Sequence, residues 1–390
     1  MINELELYFH IPFCLKKCKY CDFLSFGTDS LPADGETKAR YMDSLIQETV
    51  ARAGDYRGYR VVSIFVGGGT PSMAAPESLV KLIAVVGEHY QLAEDAEITI
   101  EVNPGTVDER ALRCYRQAGI NRLSIGLQSA DNGELAVLGR VHTYGQFLEV
   151  YYTARKCGFS NVNVDIMSAL PGQTLKGYLD TLEKVLALDP PPEHVSAYSL
   201  ILEEGTALWE QAGRGELNLP DEDTEREMYE ATRRVLEGAG YVRYEISNYA
   251  RPGRECRHNC GYWRRRDYAG FGIGAASLID NVRFKNGEDL RAYLENPAGC
   301  RCDRQVLSVS EQMEEFMFLG LRMTAGVSAA EFASCFGKEP EHVYGEVIEK
   351  NIVDGLLKWT EDLSGDSSDR RLALTEKGLD LANYVMAQFL

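Results

Sequence analysis

Positive charge is scarce in this sequence. Its 390 residues include 41 lysines and arginines against 59 aspartates and glutamates, which gives a formal net charge of −18. An extended nucleic-acid-binding face needs clustered lysines and arginines to neutralise phosphates. We therefore expect no nucleic-acid partner, although the three consecutive arginines at 264–266 could form a local basic patch.

Long apolar segments are missing as well. No run of residues approaches the roughly 18 consecutive apolar positions that a membrane-spanning helix requires. The first residues, MINELELYFH, lack the basic start and the apolar stretch of a secretory signal peptide. These absences predict a cytoplasmic protein. In a reducing cytoplasm the ten cysteines are not expected to form disulfides, and closely spaced cysteines there indicate metal or redox chemistry.

The first half of the chain alternates between strand-like and helix-like segments. Six apolar runs rich in β-forming residues cover residues 5–11, 61–69, 97–104, 122–129, 161–171 and 194–201. Segments with helical periodicity lie between them, at 37–54, 76–90, 107–118, 145–157 and 174–188. Strands that alternate with helices predict right-handed crossovers and a parallel sheet.

Polar or glycine-rich residues end nearly every predicted strand. These strand ends are His10, 67–69, Glu101 with Asn103, Gln128, Asp165 and Ser199. A doubly wound sheet would also fit the periodicity, but functional residues at the carboxyl ends of many strands are typical of a barrel. We therefore predict an α/β fold with a partial (βα)6 TIM-like barrel and a site at its carboxyl-terminal face.

The composition changes after about residue 240. We predict a barrel over residues 1–240, a connecting region over 241–305 and a small, mostly helical domain over 306–390. The short polar loop EDLSGDSSD (361–369) suits a hairpin or wing between two strands, which makes the last domain winged-helix-like.

Three cysteines, Cys14, Cys18 and Cys21, follow the first predicted strand with the spacing C-x3-C-x2-C. Three thiolates on one loop can bind three irons of a [4Fe–4S] cubane and leave the fourth iron without a protein ligand. The amino and carboxylate groups of a methionine could then bind that iron. Zinc is the alternative, but a structural zinc site needs four ligands, and only His10 could complete the set in this loop.

The cysteine spacing, with the aromatic Tyr20 before the last cysteine, resembles the radical S-adenosylmethionine (SAM) superfamily. The segment YFHIPFCLKKCKYCDF (8–23) is also similar to the coproporphyrinogen oxidase branch of that superfamily, and the resemblance extends over almost the whole chain. It implies a radical SAM barrel, a [4Fe–4S] cluster on the three cysteines and SAM on the open iron. It also implies that residues 306–390 form the carboxyl-terminal domain of that branch.

Further residues match SAM-binding positions of this branch. In GGGTP (67–71) glycines let the backbone approach a ligand closely, and the resemblance assigns Gly69 and Thr70 to SAM. The other residues assigned by resemblance are Tyr8, Tyr20, Glu101, Gln128, Arg140 and Asp165, with a looser match at Ser199. From the residues alone, the glycines could form a tight turn and Glu101 a strand-end salt bridge. Arg140 and Asp165 could equally form a structural ion pair.

Two departures argue against a coproporphyrinogen oxidase. The oxidases of this branch carry a further cysteine two residues after the triad, where this sequence has Phe23. They also have a longer amino-terminal arm, whereas the motif here starts by residue 8. Oxidase activity is therefore not expected, and whether the protein is an enzyme stays open.

The segment 256–277 carries a second motif, H-N-x-x-Y-W. Its residues are His258, Asn259, Tyr262 and Trp263. The string is similar to a motif associated with haem binding in haem chaperones of this branch. An imidazole can ligate haem iron, aromatic rings offer flat faces to a porphyrin, and the arginines at 264–266 could pair with propionates. The alternative is structural, with capping and packing roles, and His258 is only one candidate for the axial ligand.

The resemblance therefore implies a haem chaperone that binds haem as cargo and delivers it to apo-haemoproteins, with respiratory proteins as one class of recipient. Such a protein could form a homodimer and could visit the membrane transiently. The alternative is a radical SAM enzyme that acts on a porphyrin, either an oxygen-independent coproporphyrinogen III oxidase or an anaerobic haem methyltransferase.

The remaining cysteines carry a weaker signal. Cys256, Cys260, Cys300 and Cys302 could form a second metal site if the fold brings the two pairs together, and small buried hydrophobic residues are the alternative. The cysteines expected in the core of predicted helices are Cys114, Cys157 and Cys335.

Overall fold

The main sheet combines parallel and antiparallel strands. A computed structural model describes residues 3–28, 34–361 and 369–390. Its strands, in chain order, are β1 (Asn3–Ile11), β2 (Phe13–Cys14), β3 (Phe26–Gly27), β4 (Tyr59–Gly68), β5 (Gln91–Val102), β6 (Arg122–Gln128), β7 (Val162–Ser168), β8 (His194–Ser199), β9 (Val242–Arg243), β10 (Asn248–Ala250), β11 (Asp267–Phe271), β12 (Ala276–Ile279), β13 (Val282–Asn286), β14 (Arg301–Val306), β15 (Val327–Ser328), β16 (Leu357–Glu361) and β17 (Arg370–Leu374).

Helices follow most of the parallel strands. In chain order they are α1 (Gly35–Arg52), α2 (Pro76–His89), α3 (Glu109–Gln117), α4 (Asn132–Val137), α5 (Tyr144–Lys156), α6 (Leu175–Leu186), α7 (Ala207–Gly213), α8 (Glu222–Gly238), α9 (Arg257–Trp263), α10 (Leu290–Glu295), α11 (Val309–Gly320), α12 (Ala329–Phe336), α13 (Pro340–Val353), α14 (Glu376–Asp380) and α15 (Ala382–Met386). Short polar side chains cap several of them: Asp34, Asp108, Thr143 and Thr174 each accept from a backbone N–H of the first turn. Helices α1, α2, α3, α5 and α6 lie where helical periodicity predicts them.

Six parallel strands form the barrel. Strands β1, β4, β5, β6, β7 and β8 lie side by side in chain order, and each pairs in parallel with the next. The strand order does not return from β8 to β1 within the described residues, so the barrel is incomplete. This arrangement confirms the predicted partial barrel. Because the six strands run the same way, their carboxyl ends meet at one face and bring the polar strand ends together.

The sheet continues past the barrel on both sides. Beside β1 lies β11, which pairs in parallel from Leu5 with Asp267 to Phe9 with Phe271, and β12, β13 and β14 follow as antiparallel neighbours. Beside β8 lie β10 and β9, both antiparallel. The segment 241–305, predicted as a connection, thus supplies strands to the main sheet as well as helix α9.

A buried carboxylate on α1 ties this extension to the barrel. Glu48 accepts from Gly272 N–H at 2.9 Å, from Asn286 Nδ2 at 2.7 Å and from the Tyr293 hydroxyl at 2.7 Å. Arg52 Nε lies 3.2 Å from the same carboxylate. A buried carboxylate is tolerated only where such donors replace water, so this cluster fixes β11 and β13 against α1.

The carboxyl-terminal part has its own core. Helices α11 to α15 accompany a three-stranded antiparallel sheet in the order β15, β17, β16. The residues buried in this core include Met317, Leu321, Phe332, Leu372 and Val385. The small, mostly helical domain is as predicted.

The predicted wing at 361–369 spans residues 362–368, which lie outside the described residues. Strands β16 and β17, on either side of them, pair in antiparallel fashion. Across the described ranges, no helix combines the length and the apolar character needed to cross a bilayer.

Candidate functional site

The cysteine loop follows the carboxyl end of β1 and is anchored by backbone hydrogen bonds. Cys14 ends β2, which pairs with β3, and Cys18 and Cys21 come next in the loop. Lys19 N–H donates to Leu138 O at 3.0 Å, and the Lys19 carbonyl accepts from the first turn of α7 at 2.9 Å. All three cysteines line a cavity of about 300 Å³, which we call the cysteine cavity.

Two side chains donate to cysteine sulfurs. The Thr70 hydroxyl lies 3.6 Å from Cys14 Sγ, and Arg140 Nη1 lies 3.6 Å from Cys18 Sγ. Asn103 joins the two donors, because its Nδ2 donates to Thr70 Oγ1 at 2.7 Å and its Oδ1 accepts from Arg140 Nη2 at 2.6 Å. Such donors stabilise thiolates, the form in which cysteine ligates iron. The donor set therefore fits the expected iron–sulfur cluster.

The glycine run after β4 has a structural explanation. Gly68 has φ of 111°, and a Cβ there would lie 2.6 Å from the His10 ring. Gly69 faces the backbone of the cysteine loop, and its N–H donates to Ile11 O at 2.8 Å. Thr70 N–H donates to Phe13 O at 2.8 Å. These two backbone donors are therefore occupied by the loop, and only the remaining groups of Gly69 and Thr70 can face a ligand.

Glu101, near the end of β5, is half-buried and lies close to a second carboxylate. It accepts from Gly68 N–H at 3.2 Å, while burial and the nearby charge of Asp165 raise the pKa of Glu101 to about 8. Asp165 accepts from Asn163 Nδ2 at 2.7 Å and from Ser124 Oγ at 3.2 Å, and burial raises its pKa as well. A ligand that brings hydroxyl donors or positive charge would favour the ionised form of both.

The alternative roles of these carboxylates, a strand-end salt bridge for Glu101 and an ion pair with Arg140 for Asp165, are not supported. Within the described ranges, the salt bridges include none from Arg140 to Asp165 or to Glu101, because the Arg140 guanidinium donates to Cys18, Asn103 and Gly126 instead. Both carboxylates line the cysteine cavity together with Arg140.

Gln128 ends β6 in an uncommon conformation. Its φ is 70°, in the left-handed region that non-glycine residues seldom adopt and that is often found at functional sites. Its Oε1 accepts from the Tyr198 hydroxyl at 2.9 Å. Ser199, the looser assignment, lies with its Oγ 3.1 Å from Ser168 Oγ. Gln128, Tyr198 and Ser199 all line the cysteine cavity.

The two predicted tyrosines occupy different places. Tyr20 lines the cysteine cavity and packs in a cluster with Leu138 and Met167. Tyr8 lines a neighbouring cavity instead, and its hydroxyl lies 3.0 Å from His10 Nδ1. His10 Nε2 donates to Leu24 O at 2.8 Å, so both ring nitrogens have partners and His10 does not complete a zinc set with the cysteines. Tyr8 is thus the one assigned SAM residue that does not line the cysteine cavity.

The neighbouring cavity lies inside the barrel and measures about 440 Å³; we call it the barrel cavity. It shares Phe23, Gly68, Glu101, Ser124 and Asp165 with the cysteine cavity, so the two adjoin. The Phe23 side chain, 58% exposed, borders both.

His258 is buried within the barrel at the start of α9. Its Nδ1 lies 2.8 Å from Ser63 Oγ, its Nε2 lies 3.0 Å from the Tyr262 hydroxyl, and its ring stacks on Phe65. Glu97 accepts from the N–H groups that begin the helix, including that of His258 at 3.3 Å. Burial lowers the pKa of His258 to about 3, which keeps it neutral. Binding of iron by this ring would therefore require the loss of one existing hydrogen bond.

The rest of the H-N-x-x-Y-W motif divides between two sides of α9. Asn259 and Tyr262 line the barrel cavity together with His258. Trp263 packs in a cluster with Tyr244 and Met323, and the Arg322 guanidinium lies 4.2 Å from the centre of its ring. The motif therefore reaches from the barrel interior to the contact with the carboxyl-terminal domain.

The three arginines after the motif do not form a free basic patch. Arg265 pairs with Glu315 at 2.9 Å, and Arg266 pairs with Glu6 at 3.0 Å. Arg264 is exposed. The charge available at this surface is therefore smaller than the sequence suggests.

Sequence reasoning gave no role to three residues that contribute to these cavities. Asn103 links the two sulfur donors, and Tyr198 bonds Gln128. Arg122 is 2% exposed, lines the barrel cavity and has an Nε without an acceptor. Two features of the sequence could have identified these residues. Asn103 and Tyr198 lie next to strand ends that were assigned to the site, and Arg122 is a charged residue in an otherwise uncharged strand.

The other cysteines are dispersed. Cys256 and Cys260 belong to α9 and its start, whereas Cys300 and Cys302 flank the start of β14. Over the described residues, no group of three or more histidine, cysteine, aspartate or glutamate side chains is arranged to hold a single metal ion. The expectation that Cys335 lies in the core is wrong, because the residue is exposed.

Two family models match the chain. Residues 8–185 match the radical SAM superfamily, and residues 307–381 match the HemN C-terminal domain. The first match contains the end of β1, the cysteine loop and strands β4 to β7.

Several proteins that are similar over nearly the full length of the chain are named heme chaperone HemW. Heme chaperone HemW of Lactococcus lactis subsp. lactis (strain IL1403) is 37% identical, and the match covers 98% of this chain and 96% of that protein. Heme chaperone HemW of Escherichia coli (strain K12) is 34% identical over 100% of this chain and 99% of that protein. Among solved structures, coproporphyrinogen III oxidase (HemN) from Escherichia coli matches with a TM-score of 0.83 and 23% identity, over 99% of this chain and 90% of that chain. This last match shows a shared fold.

Proposed function

The chain belongs to the HemW family of radical SAM proteins, and on that premise we propose that it is a haem chaperone, which binds haem and delivers it to apo-haemoproteins. The single observation that carries the proposal is the similarity to proteins named heme chaperone HemW across 98% or more of this chain. The cavities beside the H-N-x-x-Y-W motif support it, since they offer space next to aromatic side chains.

A [4Fe–4S] cluster on Cys14, Cys18 and Cys21 is the second part of the proposal. The resemblance in the cysteine loop supports it, and so do the hydrogen bonds that Thr70 and Arg140 direct to two of the sulfurs. When bound, such a cluster supplies one open iron for SAM and a low-potential electron. The protein's own contribution is to hold the three thiols at the cavity and to set the number of hydrogen bonds to sulfur, which tunes the potential.

The SAM site would be formed by residues of the cysteine cavity. Glu101 and Asp165 are placed to accept hydrogen bonds from hydroxyls or to face positive charge, and Gln128 offers an amide. The further residues of the proposed site are Tyr20, Gly69, Thr70 and Arg140, with Tyr8 at the adjoining barrel cavity. Whether SAM is consumed there is a separate matter from whether it binds.

The proposed haem residues are His258, Asn259, Tyr262 and Trp263. Tyr262 and Trp263 supply aromatic rings, whereas His258 orients the Tyr262 phenol through the hydrogen bond between its Nε2 and the tyrosine hydroxyl. Because both nitrogens of His258 are engaged, its contribution in this conformation is to position Tyr262 rather than to ligate iron. Recipients in respiratory chains, a homodimer and a transient association with the membrane complete the proposal.

A second candidate is a radical SAM enzyme that acts on a porphyrin, either a coproporphyrinogen III oxidase or an anaerobic haem methyltransferase. The observation in its favour is the barrel cavity, which adjoins the cysteine cavity and could hold a substrate near the cluster. Against the oxidase stands Phe23, which borders both cavities where the oxidases have a further cysteine.

The test uses the full chain reconstituted anaerobically with iron and sulfide. Titration with haem should give a saturable, specific Soret change with one haem per chain. A linear change that matches haem in buffer would overturn the chaperone proposal. A second portion of the same sample, reduced and given SAM and coproporphyrinogen III, should yield no decarboxylated porphyrin. Appearance of that product would establish the second candidate instead.

A further inference from the structure

A third cavity lies between the edge of the main sheet and the carboxyl-terminal domain. It measures about 510 Å³ and is bounded by α9, by strands β11 to β13 and by α11. We call it the interdomain cavity. It touches the H-N-x-x-Y-W motif at Tyr262 and Trp263, and Tyr8 and Tyr262 separate it from the barrel cavity, since both residues line both spaces.

The walls of the interdomain cavity are largely aromatic. Tyr262 and Tyr268 meet edge to face, with ring centres 4.6 Å apart, and Trp263 and Phe318 add two more rings. The hydrogen bond between His258 and the Tyr262 hydroxyl fixes the Tyr262 ring. A set of rings in fixed positions suits a flat, apolar ligand that can pack against their faces and edges.

The charged side chains that line this cavity are both arginines. Arg265 and Arg283 share one partner, Glu315, at 2.9 Å and 2.8 Å, and Arg265 Nη2 also donates to Asn281 at 3.1 Å. Glu315 lies outside the lining. Two guanidinium groups share this carboxylate as their ion-pair partner, so an anionic ligand at this wall would meet arginine side chains rather than acidic ones.

Two buried donors among the lining residues have no acceptor. They are Arg283 Nε and Trp263 Nε1. Because each atom has almost no accessible surface, neither faces the cavity itself, whereas the Arg283 side chain as a whole is 38% exposed and can be reached by a ligand. Carboxylate oxygens are the acceptors that suit this side chain best, because arginine binds them through paired, charge-assisted hydrogen bonds.

The barrel cavity is less suited to the same ligand. Its lining includes Arg122 but also the carboxyl groups of Glu101 and Asp165, which would repel an anionic substituent when ionised. The interdomain cavity has arginines and no acidic residue in its lining. A flat apolar ring system with carboxylate substituents is the chemistry that matches aromatic walls and a guanidinium pair.

We propose that haem binds in the interdomain cavity, with its ring between the aromatic walls and its propionates at Arg283 and Arg265. The inference rests on the proposed haem binding and adds the place, the residues and the orientation. It also gives Tyr268 and Phe318 a role that the motif does not cover.

The first test compares Arg283→Gln with Arg291→Gln, a matched change at an exposed arginine of α10. Each variant is titrated with haem and with haem dimethyl ester, in which both propionates are esterified. Arg283→Gln should weaken haem binding by about tenfold or more and binding of the ester much less, while Arg291→Gln should leave both unchanged. An equal loss for haem and ester, or no loss for either, would overturn the proposal.

The second test fills the cavity from α11. Leu319→Trp places a large side chain in the lining, and Val309→Trp makes the same change at an exposed position of the same helix. Leu319→Trp should abolish saturable binding of haem and of the ester, with the circular dichroism spectrum unchanged, and Val309→Trp should bind as the unmodified chain does. Normal binding by folded Leu319→Trp would contradict the placement. Absence of haem binding by the unmodified chain would instead reject the proposed function itself.

Discussion

Arg140 places Nη1 3.6 Å from Cys18 Sγ and donates from Nη2 to Asn103 at 2.6 Å and to the Gly126 carbonyl at 2.8 Å. One half-buried guanidinium therefore joins the cysteine loop to the ends of β5 and β6. Hydrogen bonds and positive charge near a ligating thiolate stabilise the reduced form of an iron–sulfur cluster. Their removal therefore lowers its reduction potential. The contact would thus link a single side chain to the reduction potential of the proposed cluster.

Replacement of Arg140 should shift the cluster potential. In Arg140→Gln the charge-assisted bond to Cys18 is lost, so the reconstituted cluster should have a more negative reduction potential than that of the unmodified chain. Potentiometry followed by electron paramagnetic resonance measures the shift. Arg116→Gln, at an exposed position of α3, is the control and should leave the potential unchanged. Equal potentials in Arg140→Gln and the control would show that the contact does not act on the cluster.

Gly68 should tolerate no side chain. Gly68→Ala combines a positive φ with a Cβ 2.6 Å from the His10 ring, so it should lower the free energy of unfolding by more than about 2 kcal/mol. Gly158→Ala is the matched control, because Gly158 has φ of 90° and nothing within 4 Å of the added Cβ. Gly158→Ala should lower the free energy of unfolding by only about 1 kcal/mol, which is the cost of a positive φ without a steric clash. Chemical denaturation of the cluster-free chains compares the two, and equal losses would mean that the crowding at His10 costs nothing.

SAM binding should depend on pH through Glu101. Its pKa of about 8 means that the group is mostly protonated at neutral pH, and a ligand whose hydroxyls donate to the carboxylate favours the ionised form. Binding then releases a proton, so the dissociation constant for SAM should fall as the pH rises towards 8 and level off above it. The change is at most about tenfold per pH unit.

The matched variant for this effect is Glu101→Gln, which cannot titrate. The dissociation constant for SAM, measured at equilibrium with the cluster-loaded proteins, should vary less with pH in the variant than in the unmodified chain. Titration of the SAM amino group affects both proteins equally, so it does not contribute to the difference between their profiles. Parallel profiles for the two proteins would contradict the role of Glu101.

His258 should contribute to the stability of the protein without haem. Its ring is buried and hydrogen-bonded to Ser63 and Tyr262, so His258→Ala should reduce the free energy of unfolding by about 2 kcal/mol or more. His342→Ala, at an exposed position of α13, should change it by less than about 0.5 kcal/mol. Denaturation of the haem-free chains measures both. If His258→Ala were as stable as the control, the buried contacts of this ring would not be structural.

The sequence predicted the parts of the fold that depend on local pattern. The six parallel strands, the helices between them and the polar strand ends at Glu101 and Gln128 follow from apolar periodicity and from the rule that parallel strands end at one face. Asp165 lies within β7 rather than at its end. The cysteine loop was evident from spacing alone. These features can be predicted from residues that are close together in the sequence.

Features that depend on distant partners were not predictable in the same way. The hydrogen bond between His258 and Ser63 joins residues 195 positions apart, and nothing near His258 in the chain indicates it. Packing between remote segments likewise determines three other features. These are the division of the motif between Tyr262 and Trp263, the sheet extension from β11 to β14 and the exposure of Cys335.

The most direct test of the chaperone function is the rate at which haem passes from this chain to a recipient. The haem-loaded chain is mixed with increasing amounts of an apo-haemoprotein from its own organism, and formation of the holoprotein is followed by absorbance. Direct delivery predicts a rate that rises with the recipient concentration. A rate that equals spontaneous haem release and does not change with recipient concentration would contradict the proposed function.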